Sequence, residues 1–282
     1  MSRIAIVTDS TVCMPADLVR QYRITVLPQI LVWGDETFRD GENIQPNDFY
    51  RRLATAKIMP KSSQVSMVDF KDAYERLLGE GYEILNILIS SGLSGTIASA
   101  LQAREAFPPD APIEIVDSRT TGMEMGLHIL QAARRIEQGA TLVEAKAAAE
   151  TAQEYSGLIL TPMTLEFLHR GGRIGGASRF LGTALNIKPI LHVDGGRVEP
   201  LERVRTRKRA KRRIVEVIAG RVGDKPVHVV ALHANTAAEA AEILQMSKDK
   251  LNVVESFIAD VSPVIGTHVG PGTLAMAYMV QH

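Results

Sequence analysis

Short, mostly apolar runs at 4–7, 84–89 and 113–116 each give way to a polar turn and then to a helical pattern. Runs of that length bounded by turn residues read as buried strands. The stretches that follow, 16–22, to about 107, and 121–138, read as helices. A further Ala/Glu-rich helix over 142–155 starts after Thr141, and Pro46 and Ser66 open helices over 46–53 and 67–78. Residues 25–32 are extended, with Pro28 placing part of the run at a sheet edge. Residues 36–39 return as a hairpin across Gly34-Asp35, and 57–66 read as a polar loop. Alternation of this kind predicts a mostly parallel sheet covered by helices.

The pattern changes after about 156. A strand at 157–160 leads to a short helix over 165–169 and a glycine-rich segment, Arg170-Gly-Gly-Arg-Ile-Gly-Gly176. Asp194-Gly-Gly196 between apolar runs signals a hairpin. Helix, strand, helix and strand follow at 207–221, 227–233, 237–248 and 253–259. The chain closes on a glycine-framed loop around His268 and a last apolar segment. The expected fold is a two-lobed α/β protein. An N-terminal lobe (1–156) carries the parallel sheet, a smaller C-terminal α/β or α+β lobe (157–282) closes over it, and the ligand lies in the cleft between lobes.

In a parallel sheet the C-terminal strand ends share one edge, where ligands bind. Asp9-Ser10, the turn Ser90-Ser-Gly-Leu-Ser-Gly-Thr96 and Asp117-Ser-Arg119 therefore fall on one rim. A strand that turns through Ser and Gly into a helix presents amides and hydroxyls to an anion. The same turn also suits plain helix capping by Ser94. The hydroxyls at 62, 63 and 66 form a second set, read either as anion ligands or as a solvated loop with Ser66 as cap. His268, framed by Gly266, Gly270, Pro271 and Gly272, reads as a histidine presented from a constrained loop or as a structural turn. Gly92-Leu-Ser-Gly-Thr96 is not a Gly-x-Ser-x-Gly elbow, and no Walker ending follows 170–176. A Ser/His acyl hydrolase or acyltransferase, with His268 oriented by Asp9 or Asp117, and a phosphate- or nucleotide-binding enzyme stay open as alternatives.

Composition narrows the classes. Lys+Arg equals Asp+Glu and aromatics are 5% of residues, which argues against nucleic acid even though 203–213 holds eight basic residues in eleven. That run reads as a solvated helix face or a surface for an acidic partner. One cysteine, Cys13, rules out an internal disulfide and a cysteine-rich metal site. No apolar run approaches the roughly 20 residues of a membrane span, and the N-terminus shows no signal-peptide pattern. A cytoplasmic protein is expected, with no stable membrane insertion.

The chain resembles the DegV family of bacterial lipid-binding proteins, which includes the fatty-acid-binding subunits of fatty acid kinase. The motifs run its whole length: Val7-Thr-Asp-Ser-Thr11, Lys61-Ser-Ser-Gln-Val-Ser66, Ser90 to Thr96, Asp117-Ser-Arg119, Leu168-His-Arg-Gly-Gly-Arg-Ile174, Lys188-Pro-Ile190 and Ile265-Gly-Thr-His-Val-Gly-Pro-Gly272. The resemblance implies a long-chain fatty acid as ligand and no other cofactor. Its carboxylate would be held by Ser62, Ser94 and the Gly95 amide, with His268 beside it. Arg173, Arg205 and Arg207 would face an ATP-binding kinase subunit that makes the acyl phosphate, so the chain, a monomer, would perform no chemistry alone. Departures include Ser62 where threonine is common, Val65 for a frequent proline, Gly122 and Glu124 after Asp117-Ser-Arg119, and Thr206 within an Arg-Gly-Arg-like pattern.

Overall fold

The computed structural model describes residues 3–182 and 187–281. The first half contains β1 (Ile4–Asp9), α1 (Ala16–Gln21), β2 (Thr25–Leu27), β3 (Ile30–Trp33), β4 (Glu36–Arg39), α2 (Pro46–Leu53), β5 (Lys61–Ser63), α3 (Met67–Gly79), β6 (Glu83–Leu88), α4 (Thr96–Arg104), β7 (Ile113–Asp117), α5 (Gly122–Glu137) and α6 (Leu142–Thr151). Strands β2, β1, β6 and β7 form a parallel four-stranded sheet in that order. Pro28 ends β2, and the chain leaves for a separate antiparallel sheet, ordered β4-β3-β5. Caps follow the sequence: the Ser66 hydroxyl accepts from the Asp69 amide at 3.0 Å, and Thr141 with Glu144 forms a capping box.

The second half adds β8 (Ser156–Thr161), α7 (Glu166–Arg170), β9 (Lys188–Asp194), β10 (Arg197–Val204), α8 (Arg207–Val222), β11 (Val227–His233), α9 (Ala237–Lys250), β12 (Val253–Asp260), α10 (Pro263–Val269) and β13 (Leu274–Val280). They build a six-stranded sheet ordered β10-β9-β8-β13-β11-β12, antiparallel except for β11 and β12. The last apolar segment, β13, lies at its centre with all seven residues buried. A strand covered on both faces needs no polar alternation, which is why its sequence shows none.

Helix α5 is the joint. Met123, Leu127 and Leu130 pack into the apolar cluster shared with the six-stranded sheet, and Met125, Ile129 and Ala132 into the cluster behind the parallel sheet. Residues 122–130 of α5 are all buried, as suits a helix held between two layers, and its more exposed polar residues gather toward the C-terminal end. Arg134 on α5 donates to both Glu255 oxygens on β12 at 2.7 and 2.8 Å, and Ser90 donates to the Gly196 carbonyl at 2.8 Å.

Candidate functional site

The C-terminal ends of β1, β6 and β7 do share one rim, and its two acids organise the loops. Asp9 is wholly buried and accepts from the Thr11 amide (3.0 Å) and hydroxyl, Gln29 Nε2 (3.2 Å) and the Ile89 amide (2.9 Å). Burial pushes its pKa up, while these donors pull it down. Asp117 accepts from the Ser91 hydroxyl and the Arg119 amide. Neither carboxylate is among the partners of His268, so the triad geometry open to the sequence is absent here.

Between β6 and α4 the chain turns back on Ser90, whose carbonyl accepts from the Ser94 amide at 3.0 Å. Gly95, not Ser94, occupies the cap position of α4, and no side chain caps that helix. The Ser94 hydroxyl instead meets Thr96 Oγ1 at 2.9 Å and the Thr96 amide at 3.3 Å. Gln64 lies flat against Gly95, where a Cβ would collide with its amide group.

Ser62 was expected in a loop; it lies on β5, paired with Leu31 of β3. The three-residue strand completes a sheet that would otherwise leave β3 with an open edge. The first part of the glycine-framed segment, with His268, is likewise not a loop but the end of α10. Ser262 starts that helix, its hydroxyl accepting from the Ile265 amide at 3.4 Å, with Pro263 at the first position; Gly270 to Gly272 form the turn that follows. Gly266 meets a packing demand, whereas Gly270 and Gly272, both at positive φ, shape the turn after the helix. A Cβ on Gly266 would enter the Tyr50 and Phe49 rings, and Gly270 ends the helix at φ +76°. His268 therefore projects from a helix end, which holds it more firmly than a loop.

His268 Nε2 lies 2.7 Å from Ser62 Oγ. Its Nδ1 is buried with no partner among the described residues. The ring fits against Gly171, at the end of α7, where any side chain would displace it. Burial and then the nearby Arg173 charge lower its pKa to about 4, so the imidazole is neutral at physiological pH. If Nε2 carries the hydrogen, Ser62 accepts it and keeps its own hydrogen for a ligand.

Arg173 belongs to this group and not simply to an outer surface. It donates from Nε to the Leu93 carbonyl (3.1 Å) and from Nη1 to the Gly171 carbonyl (2.8 Å), leaving further donors free. Ser62, Arg173 and His268 stand between two adjoining cavities of about 180 and 280 Å³. Ser94 lines the smaller one, whose wall is apolar at Ile89, Leu93, Leu168, Val198, Val264 and Val269 and polar at Thr11, Gln29, Ser63, Gln64 and Thr121. Leu53, Met59 and Phe167 line the larger. The structure thus brings Ser62, Ser94, Arg173 and His268 together, with Gly95 directly behind Ser94.

The other two arginines stand apart. Arg205 is exposed in the bend between β10 and α8. Arg207, expected to face a partner, is engaged within the chain: it donates to Glu239 (2.8 Å) and to the Thr161 and Gly272 carbonyls (2.8 and 2.6 Å). Much of the basic run is used in the same way, with Lys211 and Arg213 paired to Glu242 and Glu202. A larger cavity of about 700 Å³ lies elsewhere, lined by Arg119, Glu124, Arg221 and Lys225 together with Tyr155, Val193, Val222 and Tyr278, and its surface is more polar than that of the smaller cavity. Among the described residues no cluster of side chains suits a metal ion, and no helix is long and apolar enough to cross a membrane.

Sequence reasoning missed Gln29 and Gln64, which both line the smaller cavity. Gln29 had a signal. It is the one polar side chain in Val26-Leu-Pro-Gln-Ile-Leu-Val-Trp33, an apolar run broken by proline.

Comparison with known proteins agrees with the architecture. Residues 3–281 match the family model described as "Uncharacterised protein, DegV family". A DegV domain-containing protein of Clostridium acetobutylicum is 37% identical over 282 residues, covering 99% of this chain and 98% of its own. The solved structure of a fatty-acid-binding DegV family protein from Thermus thermophilus superposes with a TM-score of 0.91 at 32% identity, covering 99% and 100% of the two chains. That of DegV from Bacillus subtilis, described as a fatty acid binding protein, gives 0.88 at 31% identity with full coverage of both. This chain belongs to the DegV family.

Proposed function

We propose that this protein binds a long-chain fatty acid and presents its carboxylate to an ATP-binding kinase subunit. The observation that carries the reading is the meeting of Ser62–His268 and Ser94 on one largely apolar cavity. The carboxylate sits between the Ser62 and Ser94 hydroxyls and the Gly95 amide, with His268 and Arg173 beside it, and the acyl chain runs along the apolar wall. Relatives described as fatty-acid-binding support the ligand class.

Magnitudes divide the labour between tail and head. Each buried methylene contributes about 0.8 kcal/mol, so a dozen contribute on the order of 10 kcal/mol before binding costs. A hydrogen bond to a charged group contributes roughly 1.5–3 kcal/mol. The tail supplies affinity and the serines set orientation. Ser62, Ser94, Arg173 and His268 are each half-buried rather than sealed, which leaves the carboxylate reachable by a partner. There the partner transfers the γ-phosphoryl group of ATP to a carboxylate oxygen, giving acyl phosphate and ADP. Exposed Arg205 belongs to the surface that receives this partner. The protein acts as a cytoplasmic monomer, with 1–156 supplying the head-group loops and 157–282 closing the acyl pocket.

The 2.7 Å Ser62–His268 pair gives a hydrolase reading its one specific support. Against it, His268 Nδ1 has no orienting acid among the described residues, and a pKa of about 4 makes it a weak base at neutral pH. Mass spectrometry of the purified protein, native and denatured, separates the two. A released long-chain fatty acid supports the carrier; an acyl adduct on Ser62 or Ser94 contradicts it.

A further inference from the structure

Behind Ser94 lies a chain of hydrogen bonds whose direction can be worked out atom by atom. Asp9 Oδ1 faces three donors, the Thr11 amide, the Thr11 hydroxyl and Gln29 Nε2, so that oxygen acts as an acceptor. Turning the Gln29 amide over would set its carbonyl oxygen against Asp9 Oδ1, which fixes the NH2 on this side. The same NH2 reaches Thr96 Oγ1 at 3.3 Å. Thr96 Oγ1 accepts there, and its other side-chain partner among the described residues is Ser94 Oγ, 2.9 Å away, so the buried Thr96 hydrogen is satisfied only by pointing to Ser94. The Thr96 amide donates to Ser94 Oγ as well, at 3.3 Å. Both acceptor positions of the Ser94 hydroxyl are then filled, and the only capacity left is its own hydrogen, directed to the cavity it lines. Asp9, Gln29 and Thr96 are all buried, so water does not scramble this order.

We infer that Gln29 is a positioning residue that, through Thr96, locks Ser94 as an obligate hydrogen-bond donor, and so tunes the site to a ligand head that only accepts, an ionised carboxylate. This rests on the fatty-acid reading above and deepens it. The preference over a long-chain alcohol of equal length then resides partly in residues that never touch the ligand. Without Gln29, Thr96 is free to reverse, Ser94 no longer presents a fixed hydrogen, and the alcohol, which can both donate and accept, loses little.

The test is binding of palmitate and of hexadecanol to the full chain and to the Gln29→Met, Thr96→Val and Thr96→Ser variants, with melting temperatures alongside. The expected result is about a tenfold loss of palmitate affinity in Gln29→Met and Thr96→Val, less than twofold change for hexadecanol, and recovery in Thr96→Ser. The double Gln29→Met/Thr96→Val variant loses no more than either single one, because one relay is broken in both. Equal losses for acid and alcohol, or palmitate binding unchanged in both single variants, overturn the relay while leaving the fatty-acid reading intact. A wild-type protein that fails to bind palmitate overturns both.

Discussion

Two serine–histidine pairs of equal length occur in this molecule, Ser62–His268 and Ser156–His128, each 2.7 Å apart. Ser156 also donates to Glu124 at 2.9 Å, and the second Glu124 oxygen takes the Thr120 hydroxyl. That chain is closed at its hydroxyls: both hydroxyl hydrogens in it are spent inside the protein, although His128 Nδ1 has no partner among the described residues. Among the described residues the Ser62 hydroxyl has a single partner, and it faces a cavity with much apolar wall, which it shares with a second hydroxyl, Ser94, with a hydrogen to spare. The same residue pair makes a structural strut in one place and half of a ligand site in the other. The difference lies in unspent hydrogen-bonding capacity beside apolar surface.

The comparison is broken most forcefully by deleting serines. Ser62→Ala with Ser94→Ala removes two charge-assisted bonds, and palmitate affinity is expected to fall about 100-fold or more by calorimetry. Ser156→Ala is expected to leave affinity within twofold but to cost roughly 1–3 kcal/mol of stability in chemical denaturation, because Glu124 and His128 each lose a buried partner. If Ser156→Ala matched the double variant in binding, the distinction between the pairs would fail.

The closed pair has its own pH signature. Burial lifts the Glu124 pKa to about 7, above its ordinary 4.5. Between those values the folded state keeps a proton that the unfolded state has released, so stability declines as pH rises and levels off above 7. Glu124→Gln removes the penalty: denaturation should show a gain approaching roughly 3 kcal/mol at pH 8 and little at pH 4.5. Asp40 is raised to about 7 by burial in the same way, so the difference between variant and wild type is what carries the test. A gain independent of pH would mean that Glu124 is not held protonated.

Smaller effects sharpen the open pair. Gly171→Ala pushes the His268 ring from Ser62, with an expected loss of about tenfold in palmitate affinity and little change in melting temperature, since Gly171 already has helical backbone angles. Ser94→Ala lowers affinity about tenfold, no less than Gln29→Met, and slows acyl-phosphate formation with a reconstituted kinase subunit by a larger factor; equal turnover would remove Ser94 from the presenting role. The smallest effect is on pH. With its pKa lowered to about 4, His268 stays neutral from pH 8 to 6, and palmitate affinity should change less than twofold over that range. A sharp change near pH 6.5 would show a histidine titrating in the site.

Much of the parallel half was legible because its signals are local. Apolar runs ending in Asp9, Ser90 and Asp117 placed three polar clusters on one rim, as the fold has them. The misread segments were those shaped by distant partners. Residues 61–63 become a strand only because β3, some thirty residues earlier, offers an edge. The glycines of 266–272 suggested a loop, but Gly266 serves the Tyr50 and Phe49 rings, more than two hundred residues away. The intramolecular bonds of Arg207 were equally hidden from the sequence, since its partners lie on α9 and in the chain before β13. Ser62, Ser94 and His268 stood out as hydroxyl-rich and glycine-framed segments, given a shared role by the family resemblance, whereas Gln29, a lone polar residue in an apolar run, was readable but unread.

The most direct measurement is a crystal structure of the protein with palmitate. The account predicts the carboxylate within hydrogen-bonding distance of Ser62 Oγ and Ser94 Oγ, and the acyl chain along Leu168, Val198 and Val264. A carboxylate seated instead among Arg119, Arg221 and Lys225 in the polar cavity, with Ser62 and Ser94 untouched, would contradict it.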